Sequence, residues 1–218
     1  MGQYYVAASL TNRKFVKSYT YDNGAKLAEH SWLKNAFVLA VERLLAVGGK
    51  WYKTNLVWAG DYAPTMLFLT ESDKEAYEVW YMKWHAEHAA KFPSRLIPNV
   101  YDMASRNPAH DEPFLFHEVK PKSLSIRKST IEARMLINHT KQEFVDKQHL
   151  PTLTGDYEGW HRHPLPILCS SGNGSGGGDY DPITDKEIGY VGSWAGDSIS
   201  VAPVAPEGYT EIHPDFMN

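Results

Sequence analysis

The sequence lacks features that several classes of protein require. Among its 218 residues Cys169 is the only cysteine, which excludes an intrachain disulfide and favours a reducing compartment. The longest apolar run, residues 36–41, is far shorter than the roughly 20 residues of a membrane span. Positive charge is not in excess, since 22 Lys and Arg stand against 26 Asp and Glu, and this argues against nucleic acid as a partner.

The first residues also lack the pattern of a secretion signal, because they have neither a basic start nor an apolar stretch of about 7–15 residues. These absences together predict a cytoplasmic protein that does not associate with membranes. Apolar residues make up 43 % of the chain, which is ordinary for a globular protein. At roughly 150 residues per domain the length lies between one domain and two, and we expect a single domain over residues 1–218.

Aromatic residues are abundant by contrast, with 7 Trp, 13 Tyr and 8 Phe. One group recurs at spacings of three and four and predicts a core-facing stripe on a helix that Ser72 caps. Its members are Tyr77, Trp80, Tyr81 and Trp84. A second group lies in or beside glycine-rich turns and is where we expect function to lie. Its members are Trp51, Trp58, Tyr62, Tyr180 and Trp194.

Two stretches of the chain resemble each other at a constant offset. Residues 6–16 align with residues 135–145 at an offset of 129, with Thr and Phe at matching positions. The tetrapeptide Trp-Ala-Gly-Asp occurs at 58–61 and again at 194–197. Chance recurrence of short turn sequences is the alternative explanation, because such residues are common in loops.

The alignment predicts an α+β fold built from two related modules, each a β-hairpin followed by a loop, with helices packed on one side. We place the modules at about residues 3–70 and 132–205. A helical and loop insertion at 71–131 then separates them. A ligand site could form where the modules meet, since pockets favour such junctions.

A glycine-rich stretch, SGNGSGGGDY at 171–180, is the main candidate for a binding loop. It contains the letters G-x-G-x-x-G, but prolines precede it and Asp-Pro follows, so no helix begins there and a dinucleotide-binding fold is excluded. Its backbone N–H groups could still hold a small anion, with a flexible connector as the alternative. The predicted ligand-binding residues are Gly174, Gly177, Gly178, Asp179, Tyr180, Trp194, Asp197, Trp58 and Asp61.

Catalysis is a second interpretation of the acidic residues near the glycines. Two carboxylates brought together could act as an acid–base pair or hold a divalent cation. The catalytic candidates are Asp179, Asp197 and His163, and we expect Asp61 to join the two aspartates in one cleft. The alternative is that Asp61 and Asp197 cap turns by bonding backbone N–H groups.

Other residues favour structural roles. The histidine pairs His85–His88 and His161–His163 do not match a zinc motif, so we predict no metal site, and no cofactor is implied. Cys169 follows an apolar run, which favours a buried structural thiol over a nucleophile paired with His163.

Four motifs carry a resemblance to a family of uncharacterised proteins from bacteria and their phages. They are MGQYY, INHTKQEFV, GNGSGGGDY and GSWAGDSI. Proteins of that family commonly have GNGRGGGDY, so Ser175 stands here in place of an arginine, which weakens the case for an anion. The resemblance implies a shared design and supplies no activity.

These observations predict a cytoplasmic binding or interaction protein acting in phage–host or toxin–antitoxin conflict. Its partner would be another protein or a small anionic ligand, and the sequence makes no prediction of oligomeric state. One alternative is a hydrolase or transferase that acts on a nucleotide or glycosyl substrate through aspartates. Another is a structural component of a virion or its assembly.

Overall fold

The structure, a computed structural model, describes residues 3–64, 68–88, 99–105, 115–172 and 190–216. Nine strands and six α-helices lie in these ranges, which confirms the predicted α+β class. The strands are β1 (Tyr5–Ser9), β2 (Lys14–Lys17), β3 (Thr54–Gly60), β4 (His117–Glu118), β5 (Met135–Asn138), β6 (Glu143–Asp146), β7 (Ser170–Ser171), β8 (Ser198–Ala202) and β9 (Thr210–Glu211). The helices are α1 (Leu27–His30), α2 (Ala36–Leu45), α3 (Glu71–His88), α4 (Val100–Ser105), α5 (Ile126–Ile131) and α6 (Pro164–Leu168).

The strands join one sheet in the order β4-β2-β1-β3-β8-β5-β6-β9, and β7 pairs with β3 beside this path. The inner strands pair antiparallel, whereas β4 runs parallel to β2 and β9 runs parallel to β6. Read from either edge, the order is therefore the same: a short parallel edge strand, a hairpin and a third strand. The strands of both predicted modules meet in the β3–β8 pair at the centre.

The two hairpins also share their register. Val6 lies opposite Lys17 and Met135 lies opposite Asp146, so both strands of the hairpin differ by 129 (135 − 6 and 146 − 17). The third strands differ by another number, because Val6 lies opposite Ala59 and Met135 opposite Ala202, which gives 143 (202 − 59). A common origin of the two halves stays a prediction.

The repeated tetrapeptide does not follow this register. Trp58 lies inside β3, whereas Trp194 lies in the turn before β8. With an offset of 143 the partner of Trp194 is Trp51, and both of these indoles are buried. Their backbone N–H groups donate to the last turn of a preceding helix, Trp51 to Leu44 in α2 and Trp194 to Leu168 in α6. The expectation of two equivalent Trp-Ala-Gly-Asp turns is therefore wrong.

Local signals account for the main helices. The side chain of Asn35 accepts the N–H of Phe37 at 3.0 Å, which caps α2 at its start. Helix α3 begins at Glu71 because Thr70 and Asp73 form a reciprocal cap, two residues before the predicted Ser72. Among the described residues no helix is long and apolar enough to span a membrane.

Helices contact both faces of the sheet around β1. Tyr5 and Ala7 pack in the core cluster that contains α1, α2 and α6. Val6 and Ala8 alternate with them and pack in a second cluster with α4 and Tyr77 of α3. The structure differs here from the expectation of helices on a single side. Of the predicted aromatic stripe, Tyr77 is buried, and the side chains of Trp80, Tyr81 and Trp84 lie outside the described residues.

Candidate functional site

The predicted ligand-binding residues fall into two groups. Five lie outside the described residues, namely Gly174, Gly177, Gly178, Asp179 and Tyr180. Of the other four, Trp58 and Trp194 are fully buried in the core. The indole N–H of Trp58 donates to Nε2 of His30 at 2.8 Å, and that of Trp194 donates to Glu143 at 2.8 Å. Both indoles are therefore core residues. Of the four predicted residues that are described, Asp61 and Asp197 are the two that are partly exposed.

Asp61 and Asp197 lie far apart in the sheet. The backbone N–H of Leu56 in β3 donates to the carbonyl oxygen of Asp197 at 3.0 Å. Along β3, Leu56 and Gly60 are four residues apart, which is about 13 Å at 3.3 Å per residue, and Asp61 follows Gly60. Oδ2 of Asp197 accepts the Asn138 side chain at 2.8 Å, which anchors the turn before β8. The expected common cleft does not form between these two residues, and Asp179 lies outside the described residues.

His163 belongs to a buried polar cluster around Glu42. Nε2 of His163 contacts Oε1 of Glu42 at 2.9 Å, and its Nδ1 accepts the N–H of Leu165 at 3.2 Å. Oε1 of Glu42 also accepts a hydrogen bond from the ammonium of Lys147. Its Oε2 accepts a hydrogen bond from the hydroxyl of Ser129 at 2.6 Å. All four side chains are buried. The cluster joins α2, α5, the 3₁₀ helix after β6 and the cap of α6.

The electrostatics of this cluster indicate a fixed ion pair. Burial raises the pKa of Glu42, but the adjacent Lys147 and His163 outweigh it and hold that pKa below its usual value. Burial lowers the pKa of His163, which keeps its imidazole neutral at pH 7. Because both ring nitrogens of His163 already have partners, the ring has no nitrogen left for a substrate. The prediction of His163 as a catalytic residue gains no support from this geometry.

Cys169 lies in the core, and its sulfur is fully buried. Burial raises the pKa of the thiol well above its usual value, and the charge of Asp197 adds to that effect. A thiol of this kind stays protonated at neutral pH and is a poor nucleophile. The structural interpretation of Cys169 therefore agrees with its position.

A pocket of about 340 Å³ lies at the end of the sheet where β1 begins and where β2 and β3 end. The antiparallel pairing brings these three chain ends together. Four tyrosines line the pocket and define it here as the tyrosine pocket: Tyr4, Tyr5, Tyr19 and Tyr101. Its polar side chains are Lys17, Ser18 and Asp61. Of the predicted ligand-binding residues that are described, Asp61 is the one that lines this pocket.

Asp61 is held rigidly at the wall of the tyrosine pocket. Its backbone N–H donates to the carbonyl oxygen of Tyr4 at 2.9 Å, and its Oδ1 accepts the N–H of Tyr4 at 3.0 Å. The amide of Asn99 donates to the carbonyl oxygen of Asp61 at 3.2 Å. Among the described residues nothing donates to Oδ2, so this oxygen can accept a bond from a ligand.

The pocket is lined by one carboxylate, that of Asp61, and by one ammonium, that of Lys17. The ammonium of Lys17 lies 3.7 Å from a carboxylate oxygen of Glu118 and 5.3 Å from the centre of the Phe15 ring, and Lys120 shares that carboxylate at 3.6 Å, so the charge of Lys17 is compensated only in part. The pKa of Tyr19 is raised above its ordinary value of 10.0, first by burial and then by nearby acidic groups that include Asp61. Asp61 is therefore the carboxylate that lines the pocket, and its charge is one of several that act on Tyr19.

Two buried polar atoms near the pocket have no partner among the described residues. They are the hydroxyl of Ser18, a residue that is 1 % exposed and lines the pocket, and Nε2 of Gln3. The other amide atom of Gln3 accepts the hydroxyl of Tyr5 at 2.7 Å. An unsatisfied buried hydroxyl costs about 1–3 kcal/mol, which is unusual without a functional reason.

The glycine-rich stretch begins against this wall. A Cβ at Gly172, the first glycine of the stretch, would lie 2.6 Å from the hydroxyl of Tyr5 and 2.3 Å from Oε1 of Gln3. A side chain there would displace the ends of the Gln3 and Tyr5 side chains. Gly172 therefore lies beside Tyr5, which also lines the tyrosine pocket, and residues 173–180 lie outside the described residues.

Sequence reasoning missed most of this pocket. Tyr4 and Tyr5 were not assigned to a site, and Tyr101 lies 82 residues after Tyr19 in the sequence (101 − 19). Glu42 was missed as well, although a carboxylate in the apolar segment AFVLAVERLL is a signal for a buried ion pair. No family model matches the chain, and comparisons with curated proteins and with solved structures give no match either.

Proposed function

We propose that the protein is a small-ligand-binding protein whose site is the tyrosine pocket. The volume of about 340 Å³ lies in the range of small-molecule sites, which are mainly apolar or aromatic with a few fixed polar groups. Here the aromatic part is the four tyrosines, and the fixed polar groups are Asp61 and Ser18. A binding role for Asp61 agrees with the sequence prediction for that residue.

The ligand that suits this chemistry is a small organic cation. Phenol rings attract cations through their electron-rich faces, and a carboxylate with one unsatisfied oxygen supplies a counter-ion. The observation that carries the proposal is the position of Asp61: Tyr4 holds one carboxylate oxygen, and the other oxygen lies at a wall lined by tyrosines. Lys17 also lines the pocket, but its ammonium lies near Glu118 and over the ring of Phe15, which reduces its repulsion of a cation.

The test is a calorimetric titration of the whole chain with benzyltrimethylammonium chloride at constant ionic strength. We expect saturable binding at one site. Asp61→Asn removes the charge and keeps an oxygen for the N–H of Tyr4, and we expect it to weaken binding about tenfold, which is 1.4 kcal/mol. Tyr19→Ala truncates an exposed ring and should weaken binding about threefold, within the range of one cation–π contact.

Two matched variants control for charge and for ring loss elsewhere. Asp156→Asn and Tyr52→Ala change exposed residues that do not line the pocket, and both should bind the probe as the parent does. Equal binding by the parent and Asp61→Asn would contradict the proposal. Saturable binding of inorganic phosphate in place of the cation would instead favour the anionic ligand expected from the glycine-rich stretch.

The roles expected in phage–host or toxin–antitoxin conflict, in aspartate catalysis and in virion assembly stay predictions. A protein that binds a small cation is compatible with the first of these, because ligand binding can report a state of the host. The titration applies to the binding function alone.

A further inference from the structure

Three side chains of metal-ligating type meet at the outer edge of the sheet, about the last strand β9. They are His149, Glu211 and His213, and one ligand atom from each lies within 4.8 Å of the others. His149 ends the 3₁₀ helix Lys147–His149 that follows β6, and Glu211 lies in β9. Glu211 and His213 are two residues apart on an extended chain, so their side chains share one side.

The sheet brings these residues together across 62 positions of sequence. Phe144 in β6 lies opposite Glu211 in β9, and the N–H of Ile212 donates to the carbonyl oxygen of Phe144 at 2.9 Å. The chain after β6 then turns into the 3₁₀ helix and presents His149 to the same edge. The cluster therefore depends on β9 being docked on β6.

The distances suit a first-row metal ion. Nδ1 of His149 lies 2.6 Å from Oε1 of Glu211, and Nδ1 of His213 lies 3.8 Å from the same oxygen. Zinc bonds of about 2.0–2.1 Å in a tetrahedron place neighbouring ligand atoms about 3.3 Å apart, between these two values. The side chains of His149 and His213 are 53 % and 66 % exposed, so small rotations cost little packing.

A buried carboxylate, that of Asp146, lies behind His149 and is already paired with Arg134. Nε2 of His149 lies 3.8 Å from Oδ2 of Asp146, on the side of the ring away from Glu211. Asp146 is buried, and its Oδ1 accepts Nε of Arg134 at 2.8 Å and the N–H of Gln148 at 2.9 Å. At 3.8 Å Asp146 does not hydrogen-bond the ring, and Nδ1 is the nitrogen of His149 that faces Glu211.

We propose that His149, Glu211 and His213 bind a zinc ion, with water as the fourth ligand. Two imidazoles and one carboxylate suit zinc, whereas magnesium and calcium prefer sites made of oxygen atoms alone. The ion joins the segment after β9 to the segment after β6. It therefore acts as a clip that holds the two-residue strand β9 on the edge of the sheet.

The first experiment is a zinc titration of the untagged, metal-free chain in competition with a colorimetric zinc indicator. We expect one equivalent to bind, and we expect His149→Ala and His213→Ala each to weaken binding at least tenfold. His117→Ala is the matched control, because His117 is an exposed histidine on β4, the short parallel strand at the opposite edge. Millimolar magnesium should not displace the zinc.

The second experiment measures hydrogen exchange at the amide of Ile212, which bonds Phe144 across the β6–β9 pair. Zinc should slow this exchange in the parent and in His117→Ala, and should leave it unchanged in His213→Ala. Equal zinc affinity of the parent and the two histidine variants overturns the site. Zinc that binds at the site without slowing exchange at Ile212 overturns the clip.

Discussion

The two halves of the sheet place different polar residues at one position, directly after the second strand of each hairpin. Ser18 follows β2 and Lys147 follows β6, at the hairpin offset of 129 (147 − 18). Both side chains are buried. Lys147 bonds Glu42 and the hydroxyl of Ser129, whereas the Ser18 hydroxyl has no partner among the described residues. The pocket beside Lys147 holds about 80 Å³ and the tyrosine pocket beside Ser18 about 340 Å³.

This difference separates a structural site from a binding site. Around Lys147 the buried ammonium and the carboxylate of Glu42 satisfy each other, so this pair leaves no group for a ligand. Around Ser18 a hydroxyl and one oxygen of Asp61 are left to a ligand, and the space is larger. A backbone arrangement that is the same in both halves thus supports stability in one half and, in our proposal, recognition in the other.

The largest expected effect comes from breaking the buried cluster around Glu42 and Lys147. Glu42→Gln removes the charge that compensates Lys147 and leaves its ammonium buried, which we expect to lower the free energy of unfolding by about 3–5 kcal/mol. Urea denaturation at pH 7 measures this. The double variant Glu42→Gln, Lys147→Met should recover most of the loss, because no unpaired charge then remains. A loss below about 1 kcal/mol in Glu42→Gln would mean that Lys147 reaches water.

The second expected effect is a loss of stability at acid pH. It arises from His30, which bonds Trp58 in β3 and so belongs to the half of the molecule that contains β1, β2 and β3. His30 is buried, and its Nε2 accepts the indole N–H of Trp58. Burial lowers the pKa of His30 to about 4, while the carbonyl oxygen of Gly24 opposes that change only in part. The unfolded chain therefore takes up the proton first as the pH falls, so stability present above pH 6.5 is lost down towards pH 4.

Between pH 7 and pH 4.5 we expect His30 to contribute a loss of about 2–3 kcal/mol. His30→Gln keeps an acceptor for Trp58 and does not titrate, so its stability should fall less over this range, by that amount. His117→Gln changes an exposed histidine and should behave as the parent. Parallel curves for the parent and His30→Gln, measured by urea denaturation at several pH values, would contradict the assignment.

The smallest effect is a comparison of two buried serines. Ser129→Ala removes a hydroxyl that donates to Glu42 and accepts from Lys147, and should cost about 1.5 kcal/mol. Ser18→Ala removes a buried hydroxyl with no partner among the described residues and should raise stability by about 1 kcal/mol, because the desolvation cost of that hydroxyl is lost with it. Thermal unfolding measures both. If the two variants lose the same stability, the hydroxyl of Ser18 is bonded inside the protein as that of Ser129 is, and the two buried serines do not differ.

Local sequence signals predicted the elements whose structure depends on near neighbours. The hairpin at 6–16 was predicted because a polar break separates β-favouring runs, and the one at 135–145 because its residues align with those of the first. The start of α2 was found because Asn35 caps it. The cap of α3 was misplaced by two residues, since Thr70 and Asp73 form the same kind of pair as Ser72 and Glu75 and the sequence does not rank them.

The candidate site was only partly predictable, because its residues come from distant segments. Asp61 was chosen for its tetrapeptide, yet its importance comes from Tyr4, which lies 57 positions away. Trp58 was chosen for the same tetrapeptide and is a core residue. Four identical letters do not define a register, since backbone pairing of whole strands decides which residues face each other.

The scarcity of cysteine and the modest charge determined the broad class, and hairpin and capping residues determined the local elements, because both depend on composition or on contacts a few residues apart. The tertiary structure alone decided that Lys147 is paired and Ser18 is not, and that His149, Glu211 and His213 meet. Those outcomes depend on which strands and helices pack together. Burial and partner geometry, which arise only in the folded chain, set the chemistry of each polar group.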